Sequence, residues 1–498
     1  MKTSSITWGD SMIIDLNLAE RNLTHKRYDV CLCGAGPAGI TIARVLARQG
    51  KKVAVFEGGG LEFTEISQDQ YKGKNIGLEY WDGIYTARLR FFGGTSNHWA
   101  GRCAFFDKVD FEQRDYYGLP GWPITRKEVF QYFDAACSVL DISREGFQSS
   151  QVEKWKGENF RISEVTASPP TRFGQKYHQE LKDSSNIDVY INANLTNINL
   201  NDDHNSVTSF EIQNYDKKQF SFSASNYVIA LGAIENARVL LNCDKQIQGG
   251  IGNQNGMVGR CFMEHLNVEL GKFVADDDPV WQKGGIQLNP SEDMIRRLQI
   301  GNAVLAFDRH STPVSYGRLK QFKQTLREML CKSEVATDLT RNITDFDCPG
   351  DGVITSMIEQ APNLNSRVLL GSEKDMFGMR RVKLDWQLND NDRKTIRALG
   401  LESAKEMARY GSTRVKLADF ILDGTKDIRN VDGHAHQMGT TRMSEDPKFG
   451  VVNKDLQIHG FKNIFIAGSS VFPTGGGSNP TLNLVMLAER LGHHLAKS

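Results

Sequence analysis

The chain has 498 residues, with 60 Lys and Arg against 60 Asp and Glu, so no net field draws it to nucleic acid or to an acidic membrane surface. A small neutral or compact ligand is the partner this composition leaves. At this length one ordinary core gives way to two domains or to one elaborated enzyme.

Met1 to Lys26 lacks a basic start followed by an apolar stretch, and nowhere do eighteen apolar residues run uninterrupted. The expectation is a soluble, cytoplasmic protein with no membrane partner. Eight cysteines, at 31, 33, 103, 137, 243, 261, 331 and 348, show neither disulfide nor zinc cadence. Cys31 and Cys33 alternate within an apolar run and read as small packing side chains, so no metal site is expected.

The first predicted element is a strand, Tyr28-Asp-Val-Cys-Leu-Cys33, followed by Gly34-Ala-Gly36-Pro37-Ala38-Gly39, a helix from Ile40 to Arg48, and a second strand, Lys52 to Phe56, ending at Glu57. Gly34 permits the tight turn, Gly36 lets the backbone approach a pyrophosphate, and Gly39 lets helix pack on strand. The helix start at Pro37 and Ala38 faces phosphate charge, and Glu57 is placed to accept from ribose hydroxyls. The fingerprint by itself does not separate NAD from FAD.

Tyr227-Val-Ile-Ala230-Leu-Gly232-Ala repeats the pattern of apolar strand, turn and helix, and Asn463 to Gly468 supplies a third strand and turn. These pieces predict a discontinuous Rossmann-like α/β domain from residues 26–100, 200–265 and 425–498. Residues 101–199 read as partly linker or helical and partly substrate-side. Residues 266–424 read as a substrate domain on a mainly antiparallel sheet with flanking helices. Within it Gly301 to Phe307, Arg367 to Leu370 and Arg381 to Trp386 look like strands, and Asp390 to Tyr410 looks helical.

The last seventy residues carry the chemistry. A histidine pair, His434 and His436, precedes Gly439-Thr440; the turn at Gly468 and the run Gly475-Gly-Gly-Ser-Asn479-Pro480-Thr481 follow. A proton acceptor, a glycine-rich turn and a helix start at the far end of the chain from the dinucleotide fingerprint suggest that both ends build one redox site, with a histidine to take the proton. A neutral imidazole, with an unperturbed pKa of about 6.5, fits that role. In an extended segment His434 and His436 share a face, so direction alone does not choose between them. Asn479 carries an amide that can both donate and accept, and Asn-Pro-Thr is also a helix start with Asn as cap and Pro in the first turn. Such a helix terminus would favour negative charge on a reduced ring system.

Taken jointly, the GAGPAG start, Gly93-Gly94-Thr-Ser-Asn97-His98-Trp99, the Ala-Leu-Gly-Ala strand, Glu359-Gln360-Ala-Pro-Asn363 and the C-terminal block resemble the glucose-methanol-choline (GMC) oxidoreductase family, in its pyranose-oxidase-like branch. The resemblance implies FAD, a substrate domain over its isoalloxazine ring, and oxidation of an alcohol to a carbonyl. It places the base on His436, as the first residue of H-x-x-G-T, with Asn479 as its partner. It implies cofactor contacts at Gly93, Gly94, Asn97 and His98, with His98 either bonded covalently to the flavin or touching it non-covalently. Gln360 resembles a substrate-hydroxyl ligand, and equally a buried strand-end side chain holding the Asn363 turn. Glu264 and His265, after Val258-Gly-Arg, stay outside the expected site.

The expectation is therefore an FAD-dependent oxidation of a secondary alcohol on a polyhydroxylated substrate such as a pyranose or glycoside, with dioxygen or another acceptor taking the electrons. A non-sugar alcohol dehydrogenase and a non-redox lyase or binding use of the same scaffold are the alternatives. A nicotinamide-dependent enzyme would share the fingerprint but leaves the two C-terminal motifs without a task.

Overall fold

The computed structural model describes residues 13–19, 26–80, 83–147, 155, 157–275, 285–309, 352–411 and 413–497. The N-terminal strand Tyr28–Cys33 lies in a six-stranded sheet whose spatial order is Ile13–Asp15, Ile187–Ile191, Val53–Phe56, Tyr28–Cys33, Ala224–Ile229 and Ile464–Ile466. Every neighbouring pair in it is parallel. The strands have the apolar runs that a sheet covered on both faces requires, and Val53–Phe56 is buried throughout. Helices Pro37–Arg48 and Pro480–Lys497 pack against one another, joining the two ends of the chain. Pro sits at the first turn of each, where its missing N–H costs no helical bond.

Gly34 shows why the turn needs glycine. Its φ is +105°, and a Cβ there would lie 2.3 Å from the carbonyl oxygen of Ala230 on the neighbouring strand. A Cβ on Gly39 would stand 1.9 Å from the Gly34 carbonyl oxygen, so helix and turn touch backbone to backbone.

The second sheet has eight strands. Its main path runs Thr413–Leu417, Gly271–Ala275, Gly352–Glu359, Ala303–Arg309, Ile286–Pro290 and Phe160–Ile162, antiparallel throughout. Off this path, the short strand His265–Asn267 pairs with the end of Gly352–Glu359 on one side and with Asp432–Gly433 on the other. That register sets His265 opposite Glu359 and Leu266 opposite Gly433, at the entry to the C-terminal histidines. The helix Asp390–Tyr410 has the predicted bounds, with an Asn389 and Asp392 capping box and a left-handed Gly411 closing it.

Two placements differ from the sequence-based division. Ile187–Ile191, within the 101–199 stretch, is an interior strand of the parallel sheet. The strands Arg367–Lys374 and Arg380–Asp385 form with Gly73–Asn75 a separate three-stranded sheet outside the eight-stranded one. Arg238, on the helix Ala233–Asn242, ties that hairpin to the nucleotide side through Asp375 Oδ2 at 2.5 Å and the Arg380 carbonyl at 2.9 Å. Alternating hydrophobicity says that one face of a strand is buried and is silent on which sheet buries it.

Six cysteines, at 31, 33, 103, 137, 243 and 261, are free and buried; Cys331 and Cys348 lie outside the described residues. No helix among the described residues is long and apolar enough to cross a membrane.

Candidate active site

Both ends of the chain open into one cavity of about 650 Å³, within the range of ligand and cofactor pockets. The Gly34–Gly36 turn, Glu57, Gly94 and His98 line it, and so do His436, Asn479, Pro480 and Thr481.

The cofactor side is built from groups that other interactions have prepared. Gly36 is the N-cap of the first helix without a side-chain cap, and a Cβ there would meet nothing within 4 Å, so first-turn N–H groups face open space suited to phosphate. Glu57 is 6% exposed; its carboxylate accepts from the N–H of Ala35 at 3.1 Å and of Gly59 at 2.9 Å, which fixes it on the cavity wall. Gln70 is 2% exposed and lines the same cavity, yet its Oε1 has no hydrogen-bond partner among the described residues. A buried acceptor left unpaired costs free energy, and a ligand N–H or O–H there would satisfy it. These residues fit an extended dinucleotide such as FAD.

At the other side, His436 Nε2 lies 3.2 Å from Asn479 Nδ2, and its Nδ1 lies 2.9 Å from Nδ1 of His265. The His265 Nε2 stands 2.8 Å from the Gly476 carbonyl oxygen and 3.2 Å from that of Gly475. The ring of His434 stacks on His436 at 5.9 Å and 21°, and its Nε2 donates to the Ser356 carbonyl at 3.0 Å. A buried carboxylate, that of Glu264, sits beneath the group. Glu264 accepts from the backbone N–H of His265 at 3.0 Å and of His436 at 2.5 Å, and from the Tyr80 hydroxyl.

Burial is the main cause of each perturbed titration here. It holds His436 well below the ordinary imidazole range, with His265 and His434 adding to the effect. Burial also lowers His265 to about 4 and raises Glu264 to about 7, the latter against hydrogen bonds that favour its charged form. The result at neutral pH is an uncharged imidazole on the cavity wall.

The loop carrying Asn479 is held from behind. Glu359 takes a bidentate pair from Arg114, both contacts 2.6 Å, and accepts from the Gly476 N–H at 3.1 Å. The Arg114 charge holds its carboxyl low despite burial.

Most expected cofactor residues line the cavity: Gly34, Gly36, Pro37, Ala38, Glu57, Gly94, His98, Ala230, Gly232, Gly468, Asn479, Pro480 and Thr481. Gly39, Gly93 and Asn97 stand behind that wall. A Cβ on Gly93 would come within 2.6 Å of Gly174 N, and Asn97 Nδ2 donates to the Phe92 carbonyl at 3.0 Å, so these two shape the loop.

Gln360 is not brought to the cavity. It is fully buried; its Oε1 accepts from Glu264 N at 3.0 Å and Trp386 Nε1 at 2.9 Å, and its Nε2 donates to the Gln387 carbonyl. Asn363 Nδ2 donates to that same carbonyl, so Gln360 and the Asn363 turn share one backbone acceptor. Sequence reasoning left Glu264 and His265 outside the site and missed Tyr80, Arg114 and Gln70. The one signal was Glu-His adjacent in an otherwise apolar stretch.

Comparison with known proteins adds four likenesses. The GMC oxidoreductase family model matches residues 362–488, the stretch holding His434, His436 and Asn479. A 2-methyl-1,2-propanediol dehydrogenase of Mycolicibacterium austroafricanum is 22% identical over 94% of this chain and 95% of its own length. The fructose dehydrogenase large subunit of Gluconobacter japonicus is 24% identical over 58% of this chain, and the match spans only 50% of that subunit. The solved structure of pyridoxine 4-oxidase from Mesorbium loti shares the fold, with a TM-score of 0.60 at 15% identity, over 94% of this chain and 99% of that one.

Proposed function

We propose, from the premise that this chain is a GMC oxidoreductase, that it oxidises a secondary alcohol of a polyhydroxylated substrate, a pyranose or glycoside, to the carbonyl. The observation that carries the reading is the 3.2 Å approach of Asn479 Nδ2 to His436 Nε2, in a cavity whose wall also includes the Gly34–Gly36 turn.

In this reading His436 Nε2 takes the hydroxyl proton as the O–H bond breaks, and the carbon-bound hydrogen leaves with its electron pair, which closes the C=O bond. Asn479 donates to the alcohol oxygen and, having no basic lone pair, leaves the proton to His436. Gly34, Gly36, Glu57 and Gln70 are the residues that would hold FAD, which when bound would supply the acceptor for that hydrogen, with dioxygen or another acceptor as the final taker of the electrons.

Another part of the cavity lining suits a sugar. Val304, Ala306 and Asp308 lie on one face of their strand, and Thr355 and Met357 on one face of the next. Val304, Ala306 and Met357 thus give an apolar patch and Asp308 with Thr355 a polar edge beside it, which suits the C–H face and hydroxyl rim of a pyranose. The match to a diol dehydrogenase over nearly the whole chain favours a small non-sugar diol as the second reading.

Anaerobic titration of the purified protein with monosaccharides, glycosides, cyclitols and small diols decides between them. Bleaching of the flavin by sugars supports the first reading, bleaching by diols alone the second, and an oxidised spectrum with every alcohol removes both. His98 is exposed and on the cavity wall, which leaves it within the cofactor's reach. Acid precipitation tests a covalent link: yellow colour in the pellet requires one, and colour in the supernatant excludes it.

A further inference from the structure

We infer that His265 is a positioning residue that holds His436 in the tautomer whose Nε2 is bare, so that the base meets the substrate ready to accept its proton. The inference rests on the reading of His436 as that base.

Donor and acceptor chemistry leaves little choice. The carbonyl oxygens of Gly475 and Gly476 can only accept, so His265 Nε2, 3.2 Å and 2.8 Å from them, carries the hydrogen. A neutral imidazole has one N–H, so His265 Nδ1 presents a lone pair. That lone pair faces His436 Nδ1 at 2.9 Å, which must therefore donate, and His436 Nε2 is left unprotonated. Asn479 Nδ2, a donor, stands 3.2 Å from this nitrogen and agrees with the assignment. The reverse tautomer would set two lone pairs against each other across 2.9 Å.

The anchor of this series is rigid. Gly476, whose carbonyl accepts the His265 Nε2–H hydrogen bond, donates its own N–H to Glu359, which Arg114 clamps through two contacts of 2.6 Å. Glu264 pins the backbone of both His265 and His436. The arrangement also tolerates the product of proton transfer: once His436 Nε2 is protonated, its Nδ1–H still donates to His265. His265 remains a neutral acceptor, since burial lowers it to about 4. The other titratable groups facing the pair are His434 on the same segment, Glu264 with Tyr80 beneath, and the Glu359–Arg114 pair behind.

The test compares His265→Leu, which removes the acceptor, with His265→Asn, whose side-chain oxygen restores one near the lost Nδ1. In the holoenzyme both are expected to retain flavin. His265→Leu should slow anaerobic flavin reduction by roughly 10²-fold, within the range a misprotonated base loses, without a matching change in substrate affinity. His265→Asn should recover most of that rate.

An independent readout is nitrogen NMR of histidine-labelled holoenzyme, with the His436 signals identified by their loss in His436→Gln. At neutral pH the wild type should show a protonated Nδ1 and a bare Nε2, and His265→Leu should lose that bias. A wild-type His436 protonated on Nε2 overturns the inference, as does an unchanged tautomer and rate in His265→Leu. Because the NMR needs no substrate, it decides the tautomer even if no alcohol reduces the flavin, and if His265→Leu fails to fold the wild-type spectrum alone decides.

Discussion

His436 and Asn479 lie 43 residues apart in the chain and meet side chain to side chain, Nε2 to Nδ2, at 3.2 Å. Two different parts of the fold deliver them. His436 follows the short strand Asp432–Gly433, which the second sheet captures through Leu266, while Asn479 immediately precedes the helix Pro480–Lys497, which packs on the dinucleotide-binding helix. The pair therefore forms only when the two ends of the chain and the second sheet have all assembled.

Asn479→Ala removes the donor and keeps the imidazole. A neutral hydrogen bond contributes about 0.5–1.5 kcal/mol, so flavin reduction should slow by about 2- to 13-fold, and the flavin content of the protein should stay unchanged. Rapid-mixing absorbance under anaerobic conditions measures both. An unaltered rate would place the alcohol oxygen elsewhere.

The acid side of the pH profile follows from the direction of the His436 shift. Burial and its two histidine neighbours favour the neutral ring, so protonation requires a pH below the ordinary value of about 6.5. The profile of kcat/KM, which reports the free enzyme, should hold level through pH 6.5 and fall only below it. An acid limb centred at or above 6.5 would contradict the assignment.

Glu264 gives a stability signature of the opposite sense. Its pKa rises from 4.5 to about 7 on folding, so the folded state binds this proton more tightly than the unfolded state. The resulting stabilisation is present below pH 4.5 and is lost as pH climbs through about 7. Glu264→Gln should accordingly flatten the dependence of Tm on pH between 5 and 8, which differential scanning fluorimetry resolves. Parallel curves for wild type and variant would show that Glu264 does not titrate there.

Gly39→Ala probes the contact between helix and turn. The added methyl would sit 1.9 Å from the Gly34 carbonyl oxygen, a clash with backbone that cannot rotate aside. Overpacking of this kind costs about 1–3 kcal/mol, and it displaces the turn that faces the cofactor. A lowered Tm together with reduced flavin content is expected; a variant with wild-type values of both would mean that the helix shifts without disturbing the turn.

The parts of the site that could be read from the sequence are those with a local signature. Gly34, Gly36, Gly39 and Glu57 are legible because turn, helix start and following strand occupy one short stretch with fixed spacing. The helix Asp390–Tyr410 is legible from its cap and period. His436 and Asn479 rest on the family pattern, since spacing alone left His434 open as the base.

What stayed hidden depends on tertiary pairing. Glu264 and His265 acquire their meaning only when the strand His265–Asn267 slots between Glu359 and Gly433. The surroundings of Gln360 were hidden for the same reason: nothing local shows that Glu264 and Trp386 donate to its oxygen and that its Nε2 donates to Gln387. The interior position of Ile187–Ile191 likewise follows from partners more than 130 residues away in sequence, and an apolar run carries no record of which strand it will join.

The central claim, that the imidazole of residue 436 removes the hydroxyl proton, is tested most directly by His436→Ala in anaerobic rapid-mixing experiments with an alcohol that bleaches the wild-type flavin. The account predicts a protein that keeps its flavin and reduces it about 10²- to 10⁴-fold more slowly. A variant that keeps its flavin and reduces it at the wild-type rate would contradict the account.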